Sequence, residues 1–311
     1  MKKFGISVAL LTPFTDSGTI DTLCLGRHAA SVLAEGANGV TLFGTTGENA
    51  SIGAEERANG IEALQNAGCQ PSQIVLGLCA CSLADALNQI AEGVRYGITA
   101  FLLPPPFYFK GNSDAGLFDW HMALFARADP KAQFILYHIP QVTGVPLSIN
   151  LVGQLAAAAP HRTLAIKDSS GSWENGMSLI EQGALQVLIG DERVLHRAVA
   201  KGAGGAITGM ANLHPARMAR IVETATEDQA LTDEVNRIVS RPVIPALKAI
   251  LFARTGDAGW ARLRAPLKPL SDSERQGLFL DKRRHLTLAQ LKTFVWSRRC
   301  RPPIFRRLPG L

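Results

Sequence analysis

The sequence predicts a closed (β/α)8 barrel, in which eight parallel strands alternate with helices. Two observations predict it: eight short apolar runs recur between residues 5 and 208, and segments with helical periodicity lie between them. A chain of 311 residues with 47% hydrophobic residues is long enough to bury one large core. An open doubly wound sheet is the alternative arrangement of the same elements.

The eight runs are continuously apolar and do not alternate with polar residues. This pattern is typical of strands that are buried on both faces of a parallel sheet. The runs occupy residues 5–11, 39–43, 74–78, 99–103, 134–137, 163–166, 187–189 and 205–208.

The segments between the runs favour helices, and several end in glycine, a common helix stop. Examples are DTLCLGRHAASVLAEGA, GAEERANGIEALQNAG, SLADALNQIAEGVRYG and INLVGQLAAAAP. After the eighth run, NLHPARMARIVETA and residues 228–255 indicate further helices. We therefore predict a barrel domain over residues 1–222, a C-terminal helical region over 223–280 and a basic tail over 281–311.

The formal net charge of +6 is concentrated at the C-terminal end. Residues 281–311 contain nine Lys and Arg residues and one acidic residue, so the rest of the chain is close to neutral. A nearly neutral body argues against a nucleic-acid partner. We expect the tail to be a solvated end, with a polyanion-binding or partner-binding arm as the alternative.

Targeting and redox signals favour a cytoplasmic protein. No apolar run reaches the length of a membrane span, and the N-terminal MKKFGISVALLTPF lacks the small-residue cleavage site of a signal peptide. Five cysteines at irregular spacing match neither a disulfide framework nor a usual zinc site. We expect reduced thiols, no metal and no membrane association.

Polar residues close several of the predicted strands, and the active sites of (β/α)8 barrels lie at this end of the strands. The segments are GTTGE at 44–48, PPPFYF at 104–109, YHIPQVTG at 137–144, KDSSG at 167–171, GDE at 190–192 and TG at 208–209.

Lys167 follows the apolar run TLAI, where loss of hydration disfavours an ammonium group. A neutral lysine amine attacks ketones and forms a protonated imine, which withdraws electrons from the adjacent carbon. The alternative is a structural ion pair with Asp168 or Glu48. Position alone leaves both interpretations open.

Tyr137 closes the neighbouring strand, so its phenol is placed to transfer a proton while the imine forms. A rim tyrosine that is hydrogen-bonded to backbone is the alternative. The turn that contains Thr45 and Thr46 offers consecutive amides and two hydroxyls, which can bind a carboxylate. Together with Lys167 these residues favour a 2-oxo acid as the substrate.

This combination of motifs resembles the dihydrodipicolinate synthase and N-acetylneuraminate lyase family. Its elements are GTTGE, YxxPxxTG and the lysine that closes strand 6, together with TPF at 12–14, PFY at 106–108, GDE, GAITGMAN and IPALKAIL at 244–251. The resemblance extends from residue 5 to about 275. It implies class I aldolase chemistry, in which Lys167 forms a Schiff base with pyruvate or a pyruvate-derived substrate without a metal or an organic cofactor.

The resemblance also implies roles for individual residues. Tyr137 matches the proton-transferring tyrosine, and Thr45 and Thr46 match the pair that binds the pyruvate carboxylate. Ile207 matches the position whose carbonyl faces the imine. Tyr108 matches a tyrosine that a neighbouring subunit inserts, with Thr45 linking the two tyrosines, which implies a homo-oligomer: a dimer or a dimer of dimers.

Two departures bear on the substrate. The synthases usually carry an arginine in the strand 5 loop for the carboxylate of the aldehyde substrate, and Val142 occupies this position. Ser169, Asp191, Glu192 and Thr208 instead resemble the sugar-chain contacts of the lyases. The structural alternatives are that Asp191 caps the next helix and that Thr208 only closes a strand.

We therefore expect a lyase that cleaves a 2-keto-3-deoxy sugar acid to pyruvate and an aldehyde. The alternatives are a dihydrodipicolinate synthase, which condenses pyruvate with aspartate semialdehyde, and a dehydratase of keto-deoxy sugar acids. A non-catalytic keto-acid-binding paralogue is less favoured because Lys167, Tyr137 and Thr45 are all present.

Overall fold

The computed structural model describes residues 3–279, and its central feature is a closed barrel of eight parallel strands. The strands are β1 (Gly5–Ala9), β2 (Gly39–Leu42), β3 (Ile74–Gly77), β4 (Ala100–Leu103), β5 (Gln133–His138), β6 (Thr163–Asp168), β7 (Gln186–Ile189) and β8 (Gly205–Thr208). They pair in chain order, and β1 pairs with both β2 and β8. The closure confirms the predicted fold and excludes the open doubly wound sheet.

Five strands end at different residues from those that their apolar runs predict, and of these β2 and β3 each end one residue early. β5 continues to His138 and β6 continues to Asp168, beyond the ends of their apolar runs. The polar residues that follow these two runs are therefore paired in the sheet. β1 ends at Ala9, although Leu10 and Leu11 remain fully buried. Apolar residues therefore continue beyond the paired residues in β1, whereas in β5 and β6 the pairing continues into the polar but buried residues His138 and Asp168.

Helices follow the strands around the barrel, and several of them begin at a capping side chain. The helices are α1 (Thr22–Ala34), α2 (Ala54–Asn66), α3 (Leu83–Arg95), α4 (Asp114–Arg127), α5 (Pro140–Thr143), α6 (Ile149–Ala158), α7 (Trp173–Gln182), α8 (Leu195–Ala200), α9 (Pro215–Thr224), α10 (Gln229–Val239), α11 (Val243–Thr255) and α12 (Asp272–Phe279). A serine or aspartate side chain accepts a first-turn backbone N–H at Asp21, Ser82, Ser113, Ser148, Ser172 and Asp228.

The barrel interior is packed with inward-facing side chains. Buried residues from most of the strands, including Val75, Ile135, Ala165 and Leu188, form one apolar cluster. Successive side chains of a strand point to opposite faces. Lys167, two residues after Ala165, therefore points to the inside of the barrel.

The chain divides into two compact units, of which the first ends at Leu270 and the second begins at Ser271. In the second unit, the N–H and hydroxyl groups of Ser271 donate to the Glu274 carboxylate over 2.7 and 2.6 Å, at the start of α12. The predicted domain boundaries at residues 222 and 280 stay predictions. The basic tail at 281–311 lies outside the described residues.

Within residues 3–279, no helix is both long and apolar enough to cross a membrane.

Candidate active site

Lys167 lies near the C-terminal end of β6, directly beside Tyr137 of β5 in the strand register. Its side chain is buried, with the residue only 6% exposed. The Lys167 Nζ lies 4.3 Å from the centroid of the Tyr137 ring. The barrel thus holds an amine against an aromatic face in its interior, where a cation is attracted to the ring.

The ion pairs proposed as the structural alternative for Lys167 are not formed. The Glu48 carboxylate instead accepts a hydrogen bond from Lys248 Nζ over 2.6 Å. Asp168 is the next residue of the strand, so it points away from the interior, and its Oδ1 accepts the N–H of Ser170 over 3.0 Å. Among residues 3–279, Lys167 forms no hydrogen bond or ion pair through its side chain.

Tyr137 contacts a second polar group of the site through its hydroxyl. The phenol oxygen lies 3.3 Å from Thr45 Oγ1, and either hydroxyl can donate. Tyr137 is almost fully buried, and a buried phenol generally requires a polar partner. Because that partner is a side-chain hydroxyl, the arrangement differs from that of a rim tyrosine bonded to backbone.

The turn after β2 carries Thr45 and Thr46 and is held by backbone hydrogen bonds. Gly47 N–H donates to Gly44 O over 3.0 Å, and Glu48 N–H donates to Thr45 O over 3.1 Å. A Cβ atom at Gly47 would lie 2.8 Å from Leu10 O, so the turn requires glycine there. The close packing presents both threonines at the barrel mouth.

A cavity of about 500 Å³ opens above these residues. It is lined by most of the predicted site residues: Thr45, Thr46, Tyr137, Lys167, Ser169, Asp191, Glu192 and Ile207. A second cavity, of about 330 Å³, shares Thr45 and Tyr137 and is lined mainly by apolar side chains. Substrates of a few carbon atoms fit the larger cavity, with Lys167 at its floor.

Three of the four residues expected to contact a sugar chain, Asp191, Glu192 and Thr208, form side-chain hydrogen bonds within the protein. Asp191 accepts Arg193 N–H over 3.0 Å and also accepts from the Arg193 guanidinium over 2.9 and 2.6 Å. Asp191 therefore caps a short 3-10 helix, as its structural alternative anticipates, while it also lines the cavity. Glu192 accepts from the Thr208 hydroxyl and, over 3.2 Å, from Met210 N–H.

Burial raises the pKa of the Glu192 carboxyl group above its usual range, although the hydrogen bonds from Thr208 and Met210 oppose the shift. The neighbouring Asp191 charge also raises this pKa. Burial therefore favours the neutral form of Glu192 relative to a solvent-exposed glutamate. Ser169, by contrast, forms no hydrogen bond through its hydroxyl within residues 3–279, although its N–H donates to His138 O over 2.8 Å.

Tyr108 is far more exposed than the other predicted site residues. It is 76% exposed, and its ring packs edge-to-face against Phe109 with the centroids 5.2 Å apart. Neither of these two cavities is lined by Tyr108. Tyr108 therefore does not join the other site residues within one copy of the chain, and its insertion by a neighbouring subunit stays a prediction.

The structure adds site residues that the motifs did not indicate. Arg193 lines the larger cavity, as does an apolar wall from α10 and α11 that includes Ile238, Val243, Ile244 and Leu247. Arg193 directly follows the GDE motif, so its place in the sequence could have identified it as a candidate site residue. Part of the apolar wall also had a signal, because Ile244 and Leu247 belong to the IPALKAIL segment that supports the resemblance, but that segment was assigned no role at the site.

The larger cavity has no evident metal ligand set. Among residues 3–279, no group of three or more His, Cys, Asp or Glu side chains is arranged to hold a metal ion. The four described cysteines are free thiols.

Comparison with known proteins gives the same assignment along nearly the whole described chain. The model of the Dihydrodipicolinate synthetase family matches residues 2–280. An uncharacterized DapA-like lyase of Chloroflexus aurantiacus is 35% identical over 283 residues, which cover 87% of this chain and 93% of that protein. A 4-hydroxy-tetrahydrodipicolinate synthase of Methanothrix thermoacetophila is 28% identical over 285 residues, covering 88% and 94%.

A solved structure shows the same architecture. The crystal structure of dihydrodipicolinate synthase from Agrobacterium tumefaciens str. C58 superposes with a TM-score of 0.86 and 42% sequence identity, covering 89% of this chain and 97% of that chain. The fold and the matched length agree. This chain belongs to the dihydrodipicolinate synthetase family, and it is a lyase.

Proposed function

We propose that this lyase is a Schiff-base-forming aldolase that cleaves a 2-keto-3-deoxy sugar acid to pyruvate and an aldehyde. The observation that carries the proposal is the position of Lys167. Its Nζ lies at the floor of the larger cavity, 4.3 Å from the Tyr137 ring centroid, and it has no ion-pair partner among residues 3–279. An amine without a carboxylate partner is available to attack a keto carbon.

The reaction begins with attack of the Lys167 amine on the C2 carbonyl. The carbinolamine loses its hydroxyl as water, with a proton from the Tyr137 phenol, and leaves a protonated imine. Thr45, 3.3 Å from that phenol, is the next group in the proton path. No metal or organic cofactor is required, because the imine itself accepts the electrons.

Cleavage then follows from the imine. A base removes the proton of the C4 hydroxyl, the C3–C4 bond breaks, and its electron pair moves into the imine to form an enamine. The C4 fragment departs as the aldehyde. Protonation at C3 and hydrolysis of the imine release pyruvate and regenerate the Lys167 amine.

The groups around the larger cavity suit the two ends of such a substrate. We assign the substrate carboxylate to the turn of Thr45 and Thr46, and the carbonyl of Ile207 to the imine. The free hydroxyl of Ser169 and the carboxyl group of Glu192 line the cavity and can bond a hydroxylated chain, and Thr208, which does not line the cavity, holds Glu192 by a hydrogen bond.

Val142 supports a substrate that lacks a second carboxylate. It lines the same cavity with 60% of its surface exposed, and it offers no charge at the place where an arginine would bind an anionic aldehyde. A charge-assisted hydrogen bond to a carboxylate is among the stronger polar contacts that a site can provide.

A dihydrodipicolinate synthase is the second candidate, and Arg193 is the observation that favours it. Arg193 lines the larger cavity and is the cation there besides Lys167 among the described residues. It offers an alternative contact for the carboxylate of aspartate semialdehyde. Its guanidinium is already bound by Asp191 in two places, which lowers its attraction for a further anion.

We also propose that the enzyme is a cytoplasmic homo-oligomer, a dimer or a dimer of dimers. The free thiols of the described cysteines support a reducing compartment. The exposed rings of Tyr108 and Phe109 support an interface between copies, because large aromatic side chains are enriched at such contacts. Sedimentation equilibrium of the wild type and of Tyr108→Ser tests the assembly.

The chemistry is tested by incubation with pyruvate, reduction with borohydride and peptide mapping. We expect the mass increase on Lys167; a folded protein that stays unmodified there would refute the Schiff base. A panel of 2-keto-3-deoxy sugar acids, with pyruvate release as the readout, tests the substrate. Faster condensation of pyruvate with aspartate semialdehyde would instead identify the synthase.

A further inference from the structure

A second buried lysine, Lys248 of α11, lies behind the turn that carries Thr45 and Thr46. The side chains of Lys248 and Glu48 are both 0% exposed, and Lys248 Nζ donates to Glu48 Oε1 over 2.6 Å. Two charges withdrawn completely from water carry a large desolvation cost, which only close pairing and further hydrogen bonds offset. An apolar pair would fill the same space without that cost.

The pair is completed by contacts on both sides. Lys248 Nζ also donates to Thr12 O over 2.8 Å and lies 4.5 Å from the centroid of the Phe14 ring. The second oxygen of Glu48 accepts Arg264 N–H over 3.1 Å. The hydrogen-bonding capacity of both charged groups is therefore largely used within the fold.

Glu48 adopts a backbone conformation that is unfavourable for a residue other than glycine. Its φ is +60° and its ψ is 34°, in the left-handed region that residues other than glycine rarely adopt. Glu48 is also the last residue of the turn, since its N–H donates to Thr45 O. Attraction of its carboxylate to Lys248 holds this conformation and with it the closed turn.

A neighbouring contact acts on the same turn. The Thr12 hydroxyl donates to Gly47 O over 2.7 Å, while the Thr12 carbonyl accepts from Lys248. Helix α11, the segment after β1 and the turn are thus joined in one network. The same helix places Ile244 and Leu247 on the wall of the larger cavity.

We propose that Lys248 and Glu48 are positioning residues, which hold the Thr45–Thr46 turn in the geometry that binds the carboxylate of the keto acid. Neither residue lines the larger cavity, and Glu48 lines the smaller one beside Thr45, so the pair would act on a keto acid in the larger cavity through the turn. This inference rests on the proposed function, because it assigns the turn to the substrate carboxylate. It predicts that loss of the pair weakens keto-acid binding separately from its effect on folding.

The experiment measures the pyruvate concentration that gives half-maximal borohydride trapping on Lys167, together with the thermal unfolding midpoint. Lys248→Met leaves Glu48 buried without its cation, and we expect a lower midpoint and at least a tenfold higher half-maximal concentration. The double variant Lys248→Met with Glu48→Gln removes the unpaired charge. We expect it to recover most of the midpoint while its half-maximal concentration stays at least tenfold above that of the wild type.

Arg162→Met is the matched control. The Arg162 guanidinium donates to the carbonyls of Phe125, Ala128 and Asp129 over 2.8 to 3.0 Å, just before β6 and at the opposite end of the barrel. Its loss should lower the unfolding midpoint and leave the half-maximal concentration unchanged.

Three results decide the matter. A double variant that is stable and binds pyruvate like the wild type would show that the pair contributes only to stability, and would overturn the inference alone. A half-maximal concentration that rises equally in Arg162→Met would also overturn it, because the effect would then follow general destabilisation. A wild type that is not trapped on Lys167 would overturn the proposed function and this inference with it.

Discussion

The side-chain hydroxyls of Thr45 and Tyr137 lie 3.3 Å apart, although Thr45 follows β2 and Tyr137 lies in β5, and two other strands of the barrel separate β2 from β5. The contact crosses the mouth of the barrel and gives a buried phenol a polar partner. Because the Tyr137 ring also lies against Lys167 Nζ, one side chain links the candidate nucleophile to the candidate carboxylate site.

Tyr137→Phe should slow imine formation by about 100-fold, because a positioned general acid or base typically contributes at least this factor. The measurement is the rate of borohydride-trapped product in a single turnover with pyruvate. Tyr96→Phe is the control, since Tyr96 donates to Glu62 over 2.7 Å outside both described cavities. Equal rates in the wild type and Tyr137→Phe would rule out proton transfer by this phenol.

The two buried lysines should respond in opposite ways to substitution by methionine. Lys167→Met should leave the free energy of unfolding unchanged or higher, because its ammonium has no ion-pair partner among residues 3–279. Lys248→Met should lower it by about 3–5 kcal/mol, because Glu48 stays buried without its cation. Urea unfolding followed by circular dichroism measures both, and similar losses in the two variants would contradict the prediction.

His121 should make the protein less stable as the pH falls. It is fully buried, its Nδ1 lies 2.7 Å from Leu117 O, and burial lowers its pKa from 6.5 to about 4. Below pH 6.5 the unfolded chain binds a proton that the folded protein excludes, so stability falls until the pH reaches about 4. The loss attributable to this residue is on the order of 3 kcal/mol over that range.

The effect of His121 is isolated by His121→Phe, whose ring can replace the imidazole among the neighbouring aromatic rings of Trp120 and Phe125. Urea unfolding at pH 7 and at pH 4.5 should show a smaller difference in the variant than in the wild type. An unchanged difference would assign the acid sensitivity to other groups.

Val142→Arg should increase condensation of pyruvate with aspartate semialdehyde at least tenfold. The new guanidinium would stand at the mouth of the larger cavity, where it can bind the second carboxylate through charge-assisted hydrogen bonds. Val142 is 60% exposed, so the longer side chain should be accommodated without loss of stability. Val142→Gln is the control of similar polarity without charge, and an equal gain in that variant would refute the electrostatic explanation.

Much of the candidate site was predictable because its residues follow strand ends. Lys167, Tyr137 and Thr45 each close or follow an apolar run, and parallel strands bring such residues to one end of a barrel. The contacts of Asp191 were harder to predict from the sequence. Its engagement by Arg193, and the position of Arg193 in the cavity wall, depend on the path of a short 3-10 helix.

By itself, the sequence determined the closed barrel, because strands that are buried on both faces are continuous runs of apolar residues. It also determined that a lysine, a tyrosine and two threonines lie at the mouth of the barrel, because these residues close or follow such runs. Only the tertiary structure decided which lysine Glu48 binds. Its partner is Lys248, 200 residues away in the chain, and not Lys167. The physical reason is that the strength of an ion pair depends on the distance between the two charges and on their burial, and both are set by the folded structure and not by the positions of the residues in the sequence.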